Sequence, residues 1–338
     1  MIYSKSGLWT DAAALSSPRL ELCRAILRRL VIVGTVLIGV SALTFFVLGI
    51  LPGNAAQTLF GQDATPEQLA RIEAELNLDR PILERYNLWA VEALHGNLGH
   101  SLASHQSATK LLADRLPVTI ELVVLALLLS LILAVPAALV ASRWPARFID
   151  RSVAAINITT LSIPSYVFAL ILVLMFSVHL RLLPAIGFVP LRESVVRNLE
   201  SMTLPALAIA LPLFGLYTRF LRGDLLEQLL HHDYIVAAKA KGIGSLRILV
   251  RHALPNSISG LLTVIGVNFG ALIGGTVIIE QIFALPGIGK LLLESVHARD
   301  VPIVQAIVVT LAAISTGVNL AIDALYGTID PRTRNASF

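Results

Sequence analysis

The sequence has little charge and almost no cysteine. Only 14% of its 338 residues are Asp, Glu, Lys or Arg, whereas a soluble domain carries roughly a quarter. The single cysteine, Cys23, excludes an internal disulfide framework and a cysteine metal cluster. The net charge of +4 would suit nucleic acid in a soluble protein, but so few charges cannot cover a surface in water. We therefore expect neither a soluble enzyme nor a nucleic-acid partner.

In place of charge, the sequence has long apolar runs. It is 56% hydrophobic, and a helix that crosses a bilayer needs about 20 mostly apolar residues. The runs predict an all-α integral membrane protein in a lipid bilayer with six transmembrane helices, at 30–51, 116–142, 152–178, 201–218, 256–279 and 301–325.

The distribution of basic residues predicts which side each loop faces. Of the 26 Lys and Arg residues, 16 fall in the segments 1–29, 143–151, 219–255 and 326–338, together with only 7 of the 22 acidic residues. Cytoplasmic loops of membrane proteins are enriched in Lys and Arg. Both termini are therefore expected in the cytoplasm, and the segments 52–115 and 280–300 outside.

The external segment 52–115 is too long for a simple turn. Thr65, Pro66 and Gln68 are typical of a helix start, and apolar residues recur on one face as far as Asn77. The segment is expected to form a small external helical subdomain. It could be a lid over the bundle or an ordered loop with no ligand role.

The cytoplasmic segment 219–255 has a pattern of two short helices. Asp233 is expected to cap the first helix, and Gly242 to end it in a left-handed turn. Ser245 is expected to cap the second, which should end before Pro255. Two adjacent alanines, 237 and 238, would give the first helix a face without bulk. Such a hairpin is either a solvated loop or a docking surface for another protein.

The residues of this segment resemble a known signature. Ala237-Ala238, Gly242 and Leu254-Pro255 are similar to the EAA signature of permease subunits of bacterial ABC importers. The wider pattern resembles the dipeptide, oligopeptide and nickel branch of these importers. It includes Asp233-Tyr234, Lys241-Gly242 and Arg251-His252-Ala253-Leu254-Pro255, together with Leu116-Pro117-Val118-Thr119, Leu285-Pro286-Gly287-Ile288-Gly289 and Asp330-Pro331-Arg332.

The resemblance implies a type I ABC importer permease in a bacterial inner membrane. Such a chain is no enzyme and forms half of a path that works by alternating access. It would pair with a second homologous permease, two cytoplasmic ATPase subunits that bind ATP and Mg, and an external substrate-binding protein. The chain itself would bind no cofactor. Dipeptide, oligopeptide, glutathione and nickel complex remain open as substrates. The residues implied in ATPase coupling are Asp233, Tyr234, Ala237, Ala238, Lys239, Lys241, Gly242, His252, Leu254 and Pro255.

Small and polar residues inside the spans have two interpretations. Gly266, Gly270 and Gly274 recur every four residues, which favours close helix packing, although the same face could line a path. The candidate path residues, for which bundle packing is the alternative, are Ser162, Ser165, Tyr166, Asn268 and Thr276.

Other site types have weaker support in the sequence. The segment Gly287–Lys290 lacks the spacing of a phosphate-binding Walker A motif. His95, His100 and His105 could meet at a metal, but ordinary loop histidines are the favoured interpretation, and no metal site is expected. The main alternative function is a secondary transporter or channel driven by an ion gradient. Such proteins place charges in the middle of their spans, and the middle of these spans is essentially uncharged.

Overall fold

A computed structural model describes residues 18–50 and 80–329. The predicted helix at 65–77, the first 17 residues and the Asp330-Pro331-Arg332 element lie outside the described residues. Every regular element among the described residues is helical, which confirms the predicted all-α class. The helices are α1 (Pro18–Ile50), α2 (Ile82–Leu94), α3 (Ala108–Arg143), α4 (Phe148–Ser162), α5 (Ser165–Leu172), α6 (Val195–His231), α7 (Asp233–Ala240), α8 (Ser245–Ile248), α9 (Leu254–Ile282), α10 (Ile288–His297) and α11 (Val301–Ile329).

Five helical segments in the described part of the chain are long and apolar enough to cross a membrane. A sixth crossing is formed if α4 and the stretch from α5 to His179 count as one bent span. The five segments are Leu27–Leu48, Ala108–Arg143, Val195–His231, Ser245–Gly270 and Val301–Ile322.

The third predicted span is not one straight helix. It breaks after Ser162, and the two parts are bent by 99°. Ile163 takes an extended conformation at φ −98° and ψ 122°, because the ring of Pro164 disfavours a helical residue before it. The single helix predicted for 152–178 therefore becomes α4, a sharp corner, and α5 with a π-helical end at Val173–His179.

The fourth span is longer than predicted for 201–218. α6 runs without a break over 37 residues, through Pro205 and Pro212, and takes in the first part of the predicted loop. Pro205 is buried in the bundle, where packing offsets the lost hydrogen bonds. At about 1.5 Å per residue, α6 is far longer than the roughly 30 Å of bilayer hydrocarbon, so one end must emerge into water.

α6 is also the centre of the bundle, with α3, α4, α5 and α9 packed around it. α1 lies to one side against α11. The connections at one end of the bundle, 144–147 and 232–253, belong to the basic segments, and we call this the basic end. The connections 95–107 and 283–300 lie at the other end and belong to the segments 52–115 and 280–300, in which acidic residues outnumber basic ones; we call this the acidic end. The two ends differ in how their loops are held.

Candidate functional site

The connection from α6 to α9 folds back against α6 at the basic end; we call residues 232–253 the coupling loop, after the role that the resemblance implies for it. Ile235 of α7 and Ile248 of α8 are buried in one apolar cluster with Leu221 of α6. Complete burial of such side chains stabilises by roughly 1.5–3 kcal/mol each. His232, and not the predicted Asp233, lies at the N-cap of α7, because Asp233 already has helical geometry. One face of the loop is thus fixed to the bundle.

Ala237 and Ala238 face in different directions. Ala238 is only 6% exposed and packs in the apolar cluster with α6. Ala237 is exposed, as are its neighbours Lys239 and Lys241. Successive residues of a helix are about 100° apart, so two adjacent alanines cannot share one face. The predicted bulk-free face of two alanines is therefore wrong, since Ala238 holds α7 to the bundle and only Ala237 faces outward.

Gly242 ends α7 in the predicted left-handed conformation, with a φ of +77°. Its amide donates to the carbonyl of Lys239, and the amide of Ile243 donates to that of Ala238. These bonds satisfy carbonyls that the helix end leaves without partners. A Cβ atom at Gly242 would meet nothing within 4 Å. The position thus requires glycine for its backbone conformation and not for lack of space.

Tyr234 connects three elements around the loop. Its hydroxyl donates to Oε1 of Gln228 in α6 at 2.6 Å and accepts from Nδ2 of Asn256 in α9 at 3.2 Å. The same amide group donates to the carbonyl oxygen of His252 at 2.7 Å. Partial burial raises the pKa of the Tyr234 hydroxyl, and the hydrogen bond from Asn256 opposes that shift. The sequence does not predict Gln228, because one polar residue in a long helix has no distinguishing pattern.

The chain then enters α9 without a break. Gly244, and not the predicted Ser245, caps α8, which leads through a π-helical turn, Leu249–Ala253, directly into α9. The predicted stop before Pro255 is absent, because Leu254 keeps helical angles and Pro255 continues into the first turn of α9. A displacement of the loop would therefore move α9 as well.

The outward side of the loop combines apolar and basic side chains. Val236, Leu246 and Val250 are 61%, 53% and 45% exposed, and apolar patches rimmed by polar residues often mark protein contacts. Beside it lies a groove of about 550 Å³, lined by residues of α3, α6, α7 and α8 that include Arg143 and Lys239. The surface fits a protein partner that offers apolar and acidic groups. The exposed basic residues of the loop are Lys239, Lys241, Arg247 and Arg251.

A second connection at the basic end is ionic. Asp150, at the start of α4, is 4% exposed. Its carboxylate accepts from Nε and a terminal nitrogen of Arg222 in α6 at 2.5 and 2.7 Å, and from the amide of Ala146 at 2.8 Å. A two-point arginine–carboxylate contact fixes orientation as well as distance. It holds the turn between α3 and α4 to the part of α6 that carries the coupling loop.

The candidate path residues lie at the corner between α4 and α5 and along α9. Ser162, Ser165 and Tyr166 flank the corner between α4 and α5, where Tyr166 is 44% exposed. In α9, Thr276 is fully buried and donates to the carbonyl of Ile273. Asn268 and Ser162 likewise bond to carbonyls of their own helices. Their role in a path stays a prediction.

The glycines of α9 differ in their surroundings. A Cβ atom at Gly266 would lie 3.1 Å from Ile322, and one at Gly270 would lie 2.9 Å from Oγ of Ser315, both in α11. A Cβ atom at Gly274 would have nothing within 4 Å, so the packing predicted for Gly274 is not made among the described residues. Two of the three glycines thus let α9 and α11 approach closely.

A tighter helix contact occurs where the sequence shows no glycine repeat. A Cβ atom on Gly215 of α6 would lie 2.3 Å from Oγ1 of Thr160 and 2.9 Å from the carbonyl oxygen of Asn157, both in α4. Neither distance is compatible with a side chain. Gly215 thus sets the spacing between α4 and α6, and a single glycine without a repeat gives no signal in the sequence.

At the acidic end, the carboxyl group of Glu280 is fully buried at the end of α9. It accepts from Oγ1 of Thr119 in α3 at 2.7 Å and from the amide of Lys290 in α10 at 2.9 Å. Thr119 in turn accepts from the amide of Ile288 at 2.9 Å. Acidic groups are favourable at helix N-termini. Glu280 therefore joins three helices, although its charge alone suggests only an external loop residue.

The glycines after Glu280 allow the chain to wrap around it. A Cβ atom on Gly287 would lie 2.3 to 2.5 Å from the carboxyl group, and one on Gly289 would lie 2.6 Å from the Cα of Val277. The segment Gly287–Lys290 therefore resembles a phosphate loop only superficially, because its amide at Lys290 already binds the carboxyl group of the protein itself.

Asp300 makes a similar connection between α10 and α11. It is 3% exposed and accepts from Oγ of Ser101 at 2.5 Å and from the amide of Leu102 at 3.2 Å. Its own amide donates to the carbonyl of Ser295. The turn that precedes α3 is thereby tied to the start of α11, across about 200 residues of sequence.

The three histidines of interest lie in this same region. His95 follows α2, and Nδ1 of its ring hydrogen-bonds to the carbonyl of Val91. His100 forms an isolated antiparallel backbone bridge with Ser107. His105 has a left-handed backbone conformation. In the part of the chain that the structure describes, no three His, Cys, Asp or Glu side chains form a cluster able to hold a metal ion.

Comparisons with known proteins cover almost the whole chain. Residues 126–335 match the family described as binding-protein-dependent transport system inner membrane component, and residues 22–123 match the description of its N-terminal part. A protein of Brucella abortus (strain 2308), named as a permease of a peptide transport system, is 38% identical over 91% of this chain and 98% of its own length.

Two further relatives have more specific names. The dipeptide transport system permease protein DppB of Alkalihalophilus pseudofirmus is 31% identical over 91% of this chain and 98% of its own. The glutathione transport system permease protein GsiC of Escherichia coli O6:H1 is 30% identical over 87% and 94%. The residues matched by the family and by these relatives therefore include both ends of the bundle and the coupling loop.

Proposed function

The chain belongs to the family of binding-protein-dependent transport system inner membrane components, and from this premise we propose that it carries peptides across the membrane. It is a permease subunit of an ABC importer, with the type I importer fold, and a multi-pass protein of the inner membrane. The names of its relatives refer to peptide, dipeptide and glutathione transport. Each of these substrates contains an amide-linked chain of amino acids, so a small peptide is the substrate class best supported.

The observation that carries the mechanism is the continuity of the coupling loop with two long helices. The loop is packed on α6 through Ile235 and Ala238 and passes into α9 through a helical turn. Two ATPase subunits bind ATP and Mg and dock on the outward side of the loop. When they close, the loop moves, α6 and α9 tilt, and access to the path alternates between the two sides of the membrane.

The charge distribution supports an orientation. The basic end faces the cytoplasm, with both termini on that side, because Lys and Arg accumulate in cytoplasmic loops. The acidic end faces outward, where it receives a substrate-binding protein. A second homologous permease supplies the other half of the path, and Gly274, which is exposed on α9, is available to face it.

The experiment that tests this function is transport in proteoliposomes. The permease is co-expressed with its partner subunits, reconstituted with ATP inside the vesicles, and supplied outside with binding protein and a radiolabelled dipeptide or tripeptide. Peptide accumulation is expected only with internal ATP, and ionophores that dissipate ion gradients should leave it intact. Uptake without ATP that ionophores abolish would identify a gradient-driven transporter instead. Uptake of a nickel complex but of no peptide would contradict the substrate class.

A further inference from the structure

The helix α2 lies beside the end of a membrane span. The hydroxyl of Tyr86 is 2.9 Å from Oγ of Ser41 in α1, and its ring centroid is 5.6 Å from that of Phe45 and 6.2 Å from that of Phe46. The apolar span of α1 ends at Leu48. These contacts thus fall roughly 3 to 10 Å inside the end of the span, at 1.5 Å per residue. α2 is at the level of the membrane boundary and does not stand above it.

The free surface of α2 carries large apolar side chains near both ends of the helix. Leu83, Val91 and Leu94 are 65%, 55% and 88% exposed, and Leu83 and Leu94 project within about 20° of each other. Glu92 is also exposed and projects about 160° away from Leu94, with the exposed Asn87 and Glu84 between these two directions. Two leucines on one side and a carboxylate on the opposite side are typical of helices that lie in a membrane interface.

The residues that attach α2 to α1 also fit a membrane interface. Trp89 stacks with Tyr86 at 6.2 Å and lies 6.4 Å from the Phe45 ring, and Trp and Tyr are enriched where bilayer meets water. The guanidinium of Arg85 lies 5.8 Å from the centre of the Phe45 ring. A long side chain can cover apolar surface there while its charge stays near the headgroups.

The exposed apolar side of α2 continues the exposed apolar surface of α1. Near the same end of the span, Leu43 and Val47 are 66% and 52% exposed, and lipid is the environment of such residues in a membrane-spanning helix. We propose that α2 is an interfacial helix, whose Leu83, Val91 and Leu94 insert among the acyl chains of phospholipids in the leaflet at the acidic end. α2 thereby anchors the connection 95–107, which leads from α2 to α3, at the bilayer.

Site-directed fluorescence quenching tests this placement. Cys23→Ser removes the only thiol, and single cysteines are then introduced as Leu83→Cys, Leu94→Cys and, as the matched control on the polar side, Glu92→Cys. The assembled importer is labelled with a small maleimide fluorophore in detergent and transferred to nanodiscs of ordinary or brominated phosphatidylcholine. Labels at positions 83 and 94 should lose most of their fluorescence in brominated lipid, whereas the label at 92 should lose little.

Water or another protein subunit around this face would give a different quenching pattern. If labels at 83 and 94 are quenched by iodide in the buffer and not by brominated lipid, the face is in water and the proposal is wrong. If neither quencher reaches them, another protein subunit covers the face, and the proposal is again wrong. Because quenching does not depend on transport, the result is independent of the proposed substrate and of the ATPase partners.

Discussion

The two ends of the bundle are held together by different means. At the acidic end, Glu280 and Asp300 are buried carboxyl groups whose partners come from helices and turns far apart in the sequence. At the basic end, the coupling loop is packed through apolar side chains on one face and joined by the partly exposed hydrogen bonds of Tyr234 on the other. The coupling loop is therefore fixed to the bundle on one face only, although the neighbouring turn between α3 and α4 is held by the buried Asp150.

The difference corresponds to what each end must do in the proposed mechanism. Buried hydrogen-bonded carboxyl groups are costly to expose, since each lost partner leaves a polar group unsatisfied. They suit a surface that has to keep its shape. Exposed hydrogen bonds can exchange with water at little cost, so the coupling loop can rearrange its outer contacts while its apolar face stays on α6. The basic end is therefore the end from which movement is expected to start.

The largest effect is expected from removal of the carboxyl group at the acidic end. Glu280→Leu would leave Thr119 and the amide of Lys290 without their buried acceptor, at a cost on the order of 3 kcal/mol. The melting temperature of the purified complex should fall clearly. Glu294→Leu, which removes an exposed carboxylate of α10, the helix that carries Lys290, is the control and should change it little. Equal melting temperatures for the two variants would show that the acidic end does not depend on Glu280.

An intermediate effect on stability, but a severe one on transport, is expected at the coupling loop. Gly242→Trp forces a side chain into a left-handed conformation, which costs about 1–2 kcal/mol, although space is open around it. The altered turn should separate ATP hydrolysis from peptide uptake, so that hydrolysis persists while uptake is lost.

The matched control for this variant is Gly244→Trp. Gly244 is also open to solvent but has an ordinary φ of −64°, so it should retain much more uptake. Normal uptake by a stable Gly242→Trp protein would mean that the turn plays no part in coupling.

The smallest effect is expected from the hydroxyl of Tyr234. Tyr234→Phe removes its bonds to Gln228 and Asn256 at a cost of about 1 kcal/mol, and the melting temperature should fall only slightly. In a double-mutant cycle with Gln228→Leu, the two losses should be less than additive, because both changes remove the same hydrogen bond. Full additivity would indicate that the bond does not form in the complex. Tyr166→Phe, at the exposed corner between α4 and α5, serves as the control.

Much of the coupling loop can be predicted from sequence because its features are local. The left-handed turn at Gly242 follows from residue type and position within a few residues. The burial of Ala238 cannot be predicted in this way, since the direction of its side chain depends on how α7 lies against α6. The end of α6 is also missed, because prolines and charges suggest a stop where packing against neighbouring helices continues the helix.

The sequence by itself determined the class of the protein, its apolar spans, the opposite charge of its two ends and its family. Each of these depends on composition, periodicity or a contiguous motif, which the chain carries whatever its conformation. Only the tertiary structure decided that Glu280 joins three helices, that Asp150 pairs with Arg222 and that Gly215 sets the distance between α4 and α6. Those contacts join residues tens to hundreds of positions apart, so they exist only when packing brings the helices together.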